Sequence, residues 1–147
     1  MKDKYRKSVF IVTYRKQGRK ILYLLLKRKL HWTGWEFPKG GIEKNETPLL
    51  TILRELREEV GQEPVKIQEV GLSGRYDYPK KLKDRPKIKG QTFLLYLAEI
   101  KKEKVKIDKQ EHSSYKWVDY KEAINLLTYD DQKNSLALVH KKISKKN

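Results

Sequence analysis

The chain has 147 residues, with 35 Lys or Arg against 19 Asp or Glu, a formal net charge of +16, and 37% apolar residues. That suffices for one domain with a single core under a heavily charged surface, and the absence of cysteine excludes disulfides and thiolate metal sites. No segment approaches the roughly 18 apolar residues of a membrane-spanning helix, and Met1-Lys2-Asp3-Lys4 is not followed by an apolar stretch with a cleavage site, so a cytoplasmic protein that does not enter a membrane is expected.

Ser8 to Tyr14 is β-branched and aromatic and predicts a strand. Gln17-Gly18 marks a turn, and Ile21 to Leu26 predicts a second, buried strand that forms a hairpin with the first. The short aromatic run Trp32 to Pro38 leads to Gly40-Gly41, and its rings are expected in the core under a loop. Pro48 suits the first turn of a helix capped by Thr47, and Gly61 suits the position just past its end. Val65 to Leu72, Thr92 to Ile100 and Tyr115 to Val118 read as strands, Tyr120 to Leu127 and Asp131 to Ile143 as helices. Residues 79–90 form a basic loop broken by Pro79 and Pro86, and the lysine-rich tail Lys141 to Lys146 reads as a frayed end. The mixture is α+β, a central mixed sheet with helices on its faces.

The charge is unevenly spread. Residues 1–30 hold eleven Lys or Arg and one acid, Asp3, and residues 80–89 hold six basic residues and Asp84. Residues 41–63 instead hold six Glu against Lys44, Arg54 and Arg57. A negative spot in a positive molecule suits a metal cluster with anion-attracting surroundings, because the cation reverses the sign of the spot. A lysine-rich solvated surface accounts for the total charge equally well.

On a helix from Thr47 to Val60, Leu49, Leu53, Leu56 and Val60 fall within about 60° and form the expected packing stripe. Glu55, Glu58 and Glu59 cluster on another face, roughly 140° away. Like charges at these spacings repel, near a helix end where the macrodipole disfavours them. A hard divalent cation removes both penalties, and Mg²⁺ takes one or two carboxylates together with water and substrate phosphate. The alternative is a solvated acidic face with Arg54 paired to Glu58 and Arg57 serving Glu59. A surface helix has no need of the Gly-Gly turn, the lone Glu46 and the terminating Gly61, however.

The order Gly, five residues, Glu, seven residues, Arg-Glu-Leu, one residue, Glu-Glu, one residue, Gly resembles the Nudix box; every fixed polar and glycine position from Gly40 to Gly61 is filled, and only Gln62 stands where the family has an aliphatic residue. The resemblance implies a Nudix α/β/α sandwich, one domain over 1–147 with the box at 40–62, and hydrolysis of a nucleoside diphosphate linked to another group. It also implies that Glu55, Glu58 and Glu59 bind the divalent ions, Glu59 being the most essential. A backbone carbonyl of Lys39 or Gly40 completes the site, and Gly40, Glu46, Arg54 and Gly61 are structural. Two or three Mg²⁺ ions suit the chemistry, since they neutralise a pyrophosphate, activate water and stabilise the leaving phosphate; Mn²⁺ suits the same oxygen ligands.

Phe37-Pro38-Lys39-Gly40-Gly41 resembles the asymmetric diadenosine tetraphosphate hydrolases, as does Glu111-His112 followed by Tyr115-Lys116-Trp117-Val118. Lys39 then touches the polyphosphate and Glu111 reaches the metals or acts as base, while His112 is given no catalytic role. Trp35-Glu36-Phe37-Pro38, Arg75 to Leu82 and Gly90-Gln91 resemble instead the RNA 5′-pyrophosphohydrolases, although that branch usually has Gln where this chain has Lys39. Tyr76 and Tyr78 are candidates to stack on a base, Gln91 to face the pocket, and Lys80, Lys81, Lys83, Arg85, Lys87 and Lys89 to bind RNA phosphates. The lead expectation is hydrolysis of dinucleoside polyphosphates, the second removal of pyrophosphate from 5′-triphosphorylated RNA. House-cleaning of nucleoside triphosphates and non-catalytic RNA binding follow behind. Oligomeric state is not legible in the chain.

Overall fold

The computed structural model describes residues 4–144. Strands β1 (Tyr5–Gln17), β2 (Lys20–Arg28), β3 (Gly34–Glu36), β4 (Lys39–Gly41), β5 (Lys66–Asp77), β6 (Gly90–Glu99) and β7 (His112–Val118) build one mixed sheet. Along its main path the order is β3-β2-β1-β6-β5, with β4 paired to β1 and β7 to β2. The β1–β2 hairpin turns at Gly18, which adopts φ 61. The β1–β6 ladder is parallel, Tyr5 opposite Gly90 and Tyr14 opposite Glu99; β5 returns antiparallel to β6, with an irregularity between Glu69 and Ser73. Helix α1 (Pro48–Glu59) lies on one face, α2 (Tyr120–Leu126) and α3 (Asp130–Ser144) on the other.

This layering explains the continuous apolar run in β1. Successive side chains alternate between faces, so Val9 and Ile11 join Leu24, Leu26, Ile52 and Leu56 beneath α1, while Phe10 and Val12 join Leu25, Leu95, Leu136 and Val139 beneath α3. With both faces covered, every position of the run is buried, as for parallel-type central strands. Burial of each such side chain contributes about 1.5–3 kcal/mol. Among the described residues no helix is long and apolar enough to cross a membrane.

Helix α1 starts at Thr47, whose side chain accepts from the Leu50 amide at 3.2 Å, and Pro48 occupies the first turn. It ends where the Val60 and Gly61 amides both donate to the Leu56 carbonyl, with Gly61 at φ 78, a left-handed position that favours glycine. The buried face differs from the expected stripe. Leu49 is 51% exposed and Leu53 only half-buried, whereas Ile52, Glu55, Leu56, Glu59 and Val60 face inward. The helix is rotated because Glu55 and Glu59 turn toward the sheet, an arrangement that hydropathy alone penalises. Glu58 is left outside, its side chain 54% exposed, and Arg57 pairs with Glu63 instead of Glu59.

All five expected strands run past an expected end, β2 to Lys20 and Arg28 and β6 back to Gly90 among them. β1 extends to Tyr5 and Gln17, β5 reaches Asp77 and so carries Tyr76, and β7 begins at His112. Phe37 is buried and Trp35 packs on the core, but Trp32 stands edge-to-face with Tyr129 at the rim of a cleft. Lys141 and Lys142 continue α3, and Lys142 Nζ donates to the Val70 carbonyl at 3.3 Å; residues 145–147 of the lysine-rich tail lie outside the described residues.

Candidate active site

One cleft of about 950 Å³ opens where β4, the amino-terminal part of β1, α1 and the 79–90 loop meet. Its floor is built on two glycines. A Cβ on Gly40 would overlap the Glu55 carboxyl, and one on Gly41 would overlap the Arg6 guanidinium. Both side chains therefore lie directly against bare backbone. Ala at position 40 displaces Glu55, whose flexible end yields more easily than the sheet. Since a misplacement of about 1 Å costs on the order of a hundredfold in rate, Gly40→Ala is expected to lose about that much turnover while keeping its melting temperature within a few degrees; kinetics beside a thermal melt check this.

Arg54 fixes the loop to the helix. Its Nε donates to Glu46 Oε2 at 2.7 Å and one terminal nitrogen to Glu46 Oε1 at 2.9 Å, a bidentate pair, and that nitrogen also reaches the Gly41 carbonyl at 2.9 Å. The other terminal nitrogen donates to Glu55 at 2.7 Å and lies 3.5 Å from Glu58. Hydrogen bonds from Arg54, then the Glu43 amide, hold the Glu46 carboxyl down at about 2.

Glu55, Glu59 and Glu111 converge; Glu58 remains on the outer side of the helix. Glu59, 2% exposed, accepts from the Lys39 amide at 3.3 Å. Burial, then the charges of Glu55, Glu36 and Glu111 and a hydrogen bond with Glu111, push the Glu59 carboxyl well above its ordinary value. Burial raises Glu55 as well, to about 7, although the Arg54 charge and hydrogen bond oppose it. Carboxylates desolvated side by side resist ionising, and a divalent cation among them offsets both penalties. The donor set fits such an ion: Glu55, Glu59 and Glu111 supply hard oxygens. Oxygen atoms of Glu59 and Glu111 and a ring nitrogen of His112 all lie within 4.8 Å of one another.

Beneath this group is a charged network drawn from four strands. Glu36 on β3 is wholly buried. Its Oε2 accepts from His112 Nε2 at 2.8 Å and from Arg28 at 3.2 Å, and its Oε1 lies 3.5 Å from Lys39 Nζ. Burial alone would raise this carboxyl; Lys39, the His112 hydrogen bond and Arg28 outweigh it and hold it near about 2. Arg28 also lies 3.7 Å from Glu111. β2 is flanked here by β3 and β7, with Glu36 opposite Leu26 and His112 opposite Arg28. Arg28 follows Leu24 and Leu26 at period two and so shares their face. The sequence signals were an acid between two aromatics, Trp35-Glu36-Phe37, and an arginine ending an apolar strand. Arg6, lining the cleft from β1, had none.

The wall opposite α1 is a relay of polar groups. Lys39 Nζ donates to the Tyr76 hydroxyl (3.1 Å), which donates to Gln91 Oε1 (2.9 Å); Gln91 Nε2 donates to the Tyr78 hydroxyl (2.8 Å), which also accepts from Arg85 (3.0 Å). The two tyrosine rings meet edge-to-face, 6.2 Å apart and inclined at 69°, so they form no parallel-walled slot for one base. Lys80, Lys81, Lys83 and Arg85 line the cleft, and the loop carrying them is tied down by the Arg85–Tyr78 bond and by His31 beside Asp84 at 3.2 Å. Lys89 is exposed outside the lining; its backbone bonds to Tyr78 and Lys4.

A family profile described as NUDIX domain matches residues 4–139. An RNA pyrophosphohydrolase of Nitratiruptor sp. is 35% identical over 134 residues, 87% of this chain and 86% of that protein. Another RNA pyrophosphohydrolase, from Hydrogenovibrio crunogenus, is 34% identical over 129 residues, 80% of this chain and 76% of that protein. Among solved structures, a binary complex of the C. elegans Ap4A hydrolase superposes with TM-score 0.78 at 22% identity, covering 95% of this chain and 98% of that one; at that identity the likeness is one of fold.

Proposed function

The chain belongs to the NUDIX family of hydrolases acting on phosphoanhydrides, and we propose that it removes pyrophosphate from the 5′-triphosphate end of RNA, in the cytoplasm, as a single catalytic domain spanning the whole chain. The observation that carries this reading is the composition of the cleft. A bed of buried carboxylates for divalent cations adjoins a wall of Lys80, Lys81, Lys83 and Arg85, and a strand of phosphates has its counter-charges along that wall. The relatives at 34–35% identity bear the name RNA pyrophosphohydrolase. Dinucleoside polyphosphates are the second reading, favoured by the amine of Lys39 held inside the cleft.

In this reading Glu55 and Glu59 hold Mg²⁺, or Mn²⁺, with the Lys39 or Gly40 carbonyl, and Glu58 joins from the rim. When bound, the cation neutralises the phosphates and polarises the phosphoryl group. Water attacks phosphorus and loses its proton to Glu111; the bond to the leaving pyrophosphate breaks, giving 5′-monophosphorylated RNA. Lys39, Arg6 and Arg28 neutralise phosphate oxygens, and Gln91 keeps Tyr76 and Tyr78 in position beside the substrate. The Glu36 carboxylate holds Lys39 and Arg28 at their posts.

Rates on triphosphorylated RNA and on diadenosine tetraphosphate, measured side by side with Mg²⁺ and with chelator, test the assignment. Pyrophosphate release from RNA, faster than cleavage of the dinucleotide and abolished by chelator, is the expected result. No pyrophosphate from RNA removes the RNA reading.

A further inference from the structure

Gln62 is the position at which segment 40–62 departs from the Nudix pattern, and the departure has a structural task. Its Nε2 donates to the Lys102 carbonyl at 2.8 Å and the Lys104 carbonyl at 2.9 Å, and its Oε1 accepts from the Lys102 amide at 3.1 Å. An aliphatic side chain makes none of these bonds. The loop held this way, residues 101–107, carries Lys101, Lys102, Lys104 and Lys106 against Glu103. It is pinned twice more: Trp117 Nε1 donates to the Glu103 carbonyl at 2.6 Å, and the Lys106 amide to the Val60 carbonyl at 2.9 Å. A run of like charges repels itself and favours a mobile coil, so fixing it opposes that tendency.

The free end of the β1–β2 hairpin meets this loop. The Ile100 amide donates to the Tyr14 carbonyl at 2.9 Å, which starts the loop beside the end of β1. The next residue, Arg15, holds its guanidinium 5.1 Å over the Trp117 ring, and its Nε is a buried donor with no hydrogen-bond partner among the described residues. Arg15 follows Ile11 at period two and so faces the α1 side of the sheet. Lys20 shares that side, because Leu22 lies opposite Arg15. Arg15, Arg19, Lys20, Lys101, Lys102 and Lys104 enter no ion pair among the described residues.

Uncompensated charges of one sign, gathered on two fixed segments, attract a polyanion. A guanidinium laid on an indole presents its fork to phosphate oxygens with little further ordering. Neither the hairpin end nor the loop exposes a large apolar side chain among the described residues, which a membrane-surface segment needs. RNA phosphates are the better occupant.

We propose that this patch binds the RNA backbone downstream of the 5′ end, as a second anchoring surface apart from the cleft, with Gln62 as the residue that keeps its loop in position. The proposal rests on the reading of the substrate as RNA and adds a dependence on RNA length. Nine residues of β1 separate Arg6, in the cleft, from Arg15, about 30 Å at the usual rise of a strand. A stacked RNA strand covers that span in about nine nucleotides at 3.4 Å each. Shorter substrates reach the cleft alone, and longer ones are held at both ends of the sheet.

The test is fluorescence anisotropy of a 5′-hydroxyl RNA of 20 nucleotides with the full chain, between 50 and 200 mM salt. The variant Arg19→Gln/Lys20→Gln/Lys102→Gln binds it at least about tenfold more weakly at 50 mM salt, and the slope of log affinity on log salt falls by about two. Its kcat/KM on a triphosphorylated RNA of four nucleotides changes less than twofold. Lys121→Gln/Lys141→Gln/Lys142→Gln, on α2 and α3 across the sheet, removes the same charge and leaves the affinity for the long RNA within twofold. Gln62→Leu weakens binding of the long RNA in the parent chain and not in the Arg19/Lys20/Lys102 variant; an equal loss in both backgrounds overturns the part given to Gln62. Equal losses in the two charge variants, or unchanged affinity in the first, overturn the proposal, as does binding to phosphatidylglycerol vesicles without binding to the RNA. The 5′-hydroxyl RNA has no phosphoanhydride to cleave, so these results stand apart from turnover, and the RNA reading of the cleft falls separately if no triphosphorylated RNA releases pyrophosphate.

Discussion

Replacing Glu59 by glutamine lowers turnover by about a thousandfold and, in metal-free protein above pH 7, raises the melting temperature. The two effects share a cause. Glu59 is 2% exposed and surrounded by Glu55, Glu36 and Glu111. Glutamine has the same shape and keeps an oxygen for the Lys39 amide, but it carries no charge to desolvate and binds a divalent ion poorly. Several kcal/mol of transition-state stabilisation go with the ion, and about 1.4 kcal/mol corresponds to tenfold in rate. The folded Glu59 carboxyl holds its proton to higher pH than the unfolded one, so ionisation opposes folding as pH rises. The variant is relieved of that, and its stability advantage disappears in acid. Steady-state kinetics and melts at pH 5 and pH 8 check both halves. Unchanged turnover overturns the role assigned to Glu59, and a lower melting temperature at pH 8 overturns its electrostatic description.

The second large effect is a displaced pH optimum of stability. Without cations, the protein is most stable near pH 5 as far as the cleft carboxyls decide it, and saturating Mg²⁺ or Mn²⁺ moves the optimum toward neutrality. Glu55 is raised from 4.5 to about 7, chiefly by burial. Between those values the unfolded chain has released a proton that the folded chain retains, so stability declines as pH rises through the window, by roughly 3 kcal/mol for a displacement of that size. Glu36 and Glu46 are depressed to about 2. Their contribution is present above 4.5 and is lost as pH falls toward 2, which sets the acid side of the optimum. A divalent ion at a hundredfold excess over its Kd adds about 2.7 kcal/mol, or about 5–10 °C in a domain of this size. The gain shrinks toward pH 4.5, where protonated carboxyls release the ion. Thermal melts across pH, with and without Mg²⁺, measure it; no metal-dependent rise at pH 8 counts against the cleft as a cation site.

Strands β1, β2, β5, β6 and β7, the three helices and the glutamates of the cleft were legible because each leaves a local mark, whereas the three-residue strands β3 and β4 leave none. Thr47-Pro48 and Gly61 bound α1, and the apolar run of β1 marks a strand covered on both faces. The orientation of α1 was not, since the leucine stripe outvotes two glutamates until the sheet, Gly40 and Arg54 give those glutamates an inward environment. The Glu36 network was hidden for a related reason. Its members come from β2, β3, β4 and β7, and burial of a charge becomes favourable only when its partners arrive from elsewhere in the chain. Tyr76 and Tyr78 were legible as aromatic residues, and both line the cleft, but their perpendicular arrangement depends on Gln91 and Arg85, contributed by β6 and the basic loop.

The parallel β1–β6 ladder has a consequence for how the molecule comes into being. Tyr5 lies opposite Gly90 and Tyr14 opposite Glu99, so β1 waits for a strand that is synthesised 85 positions later. Until then its apolar residues lack one of their two neighbours, and pairings of such long sequence separation form slowly. The glutamate-rich segment 40–62 is synthesised during that wait, before the sheet that turns Glu55 and Glu59 inward is complete. A nascent chain that ends before residue 90 thus exposes an apolar strand and a set of unplaced carboxylates together, a state for which chaperones have use.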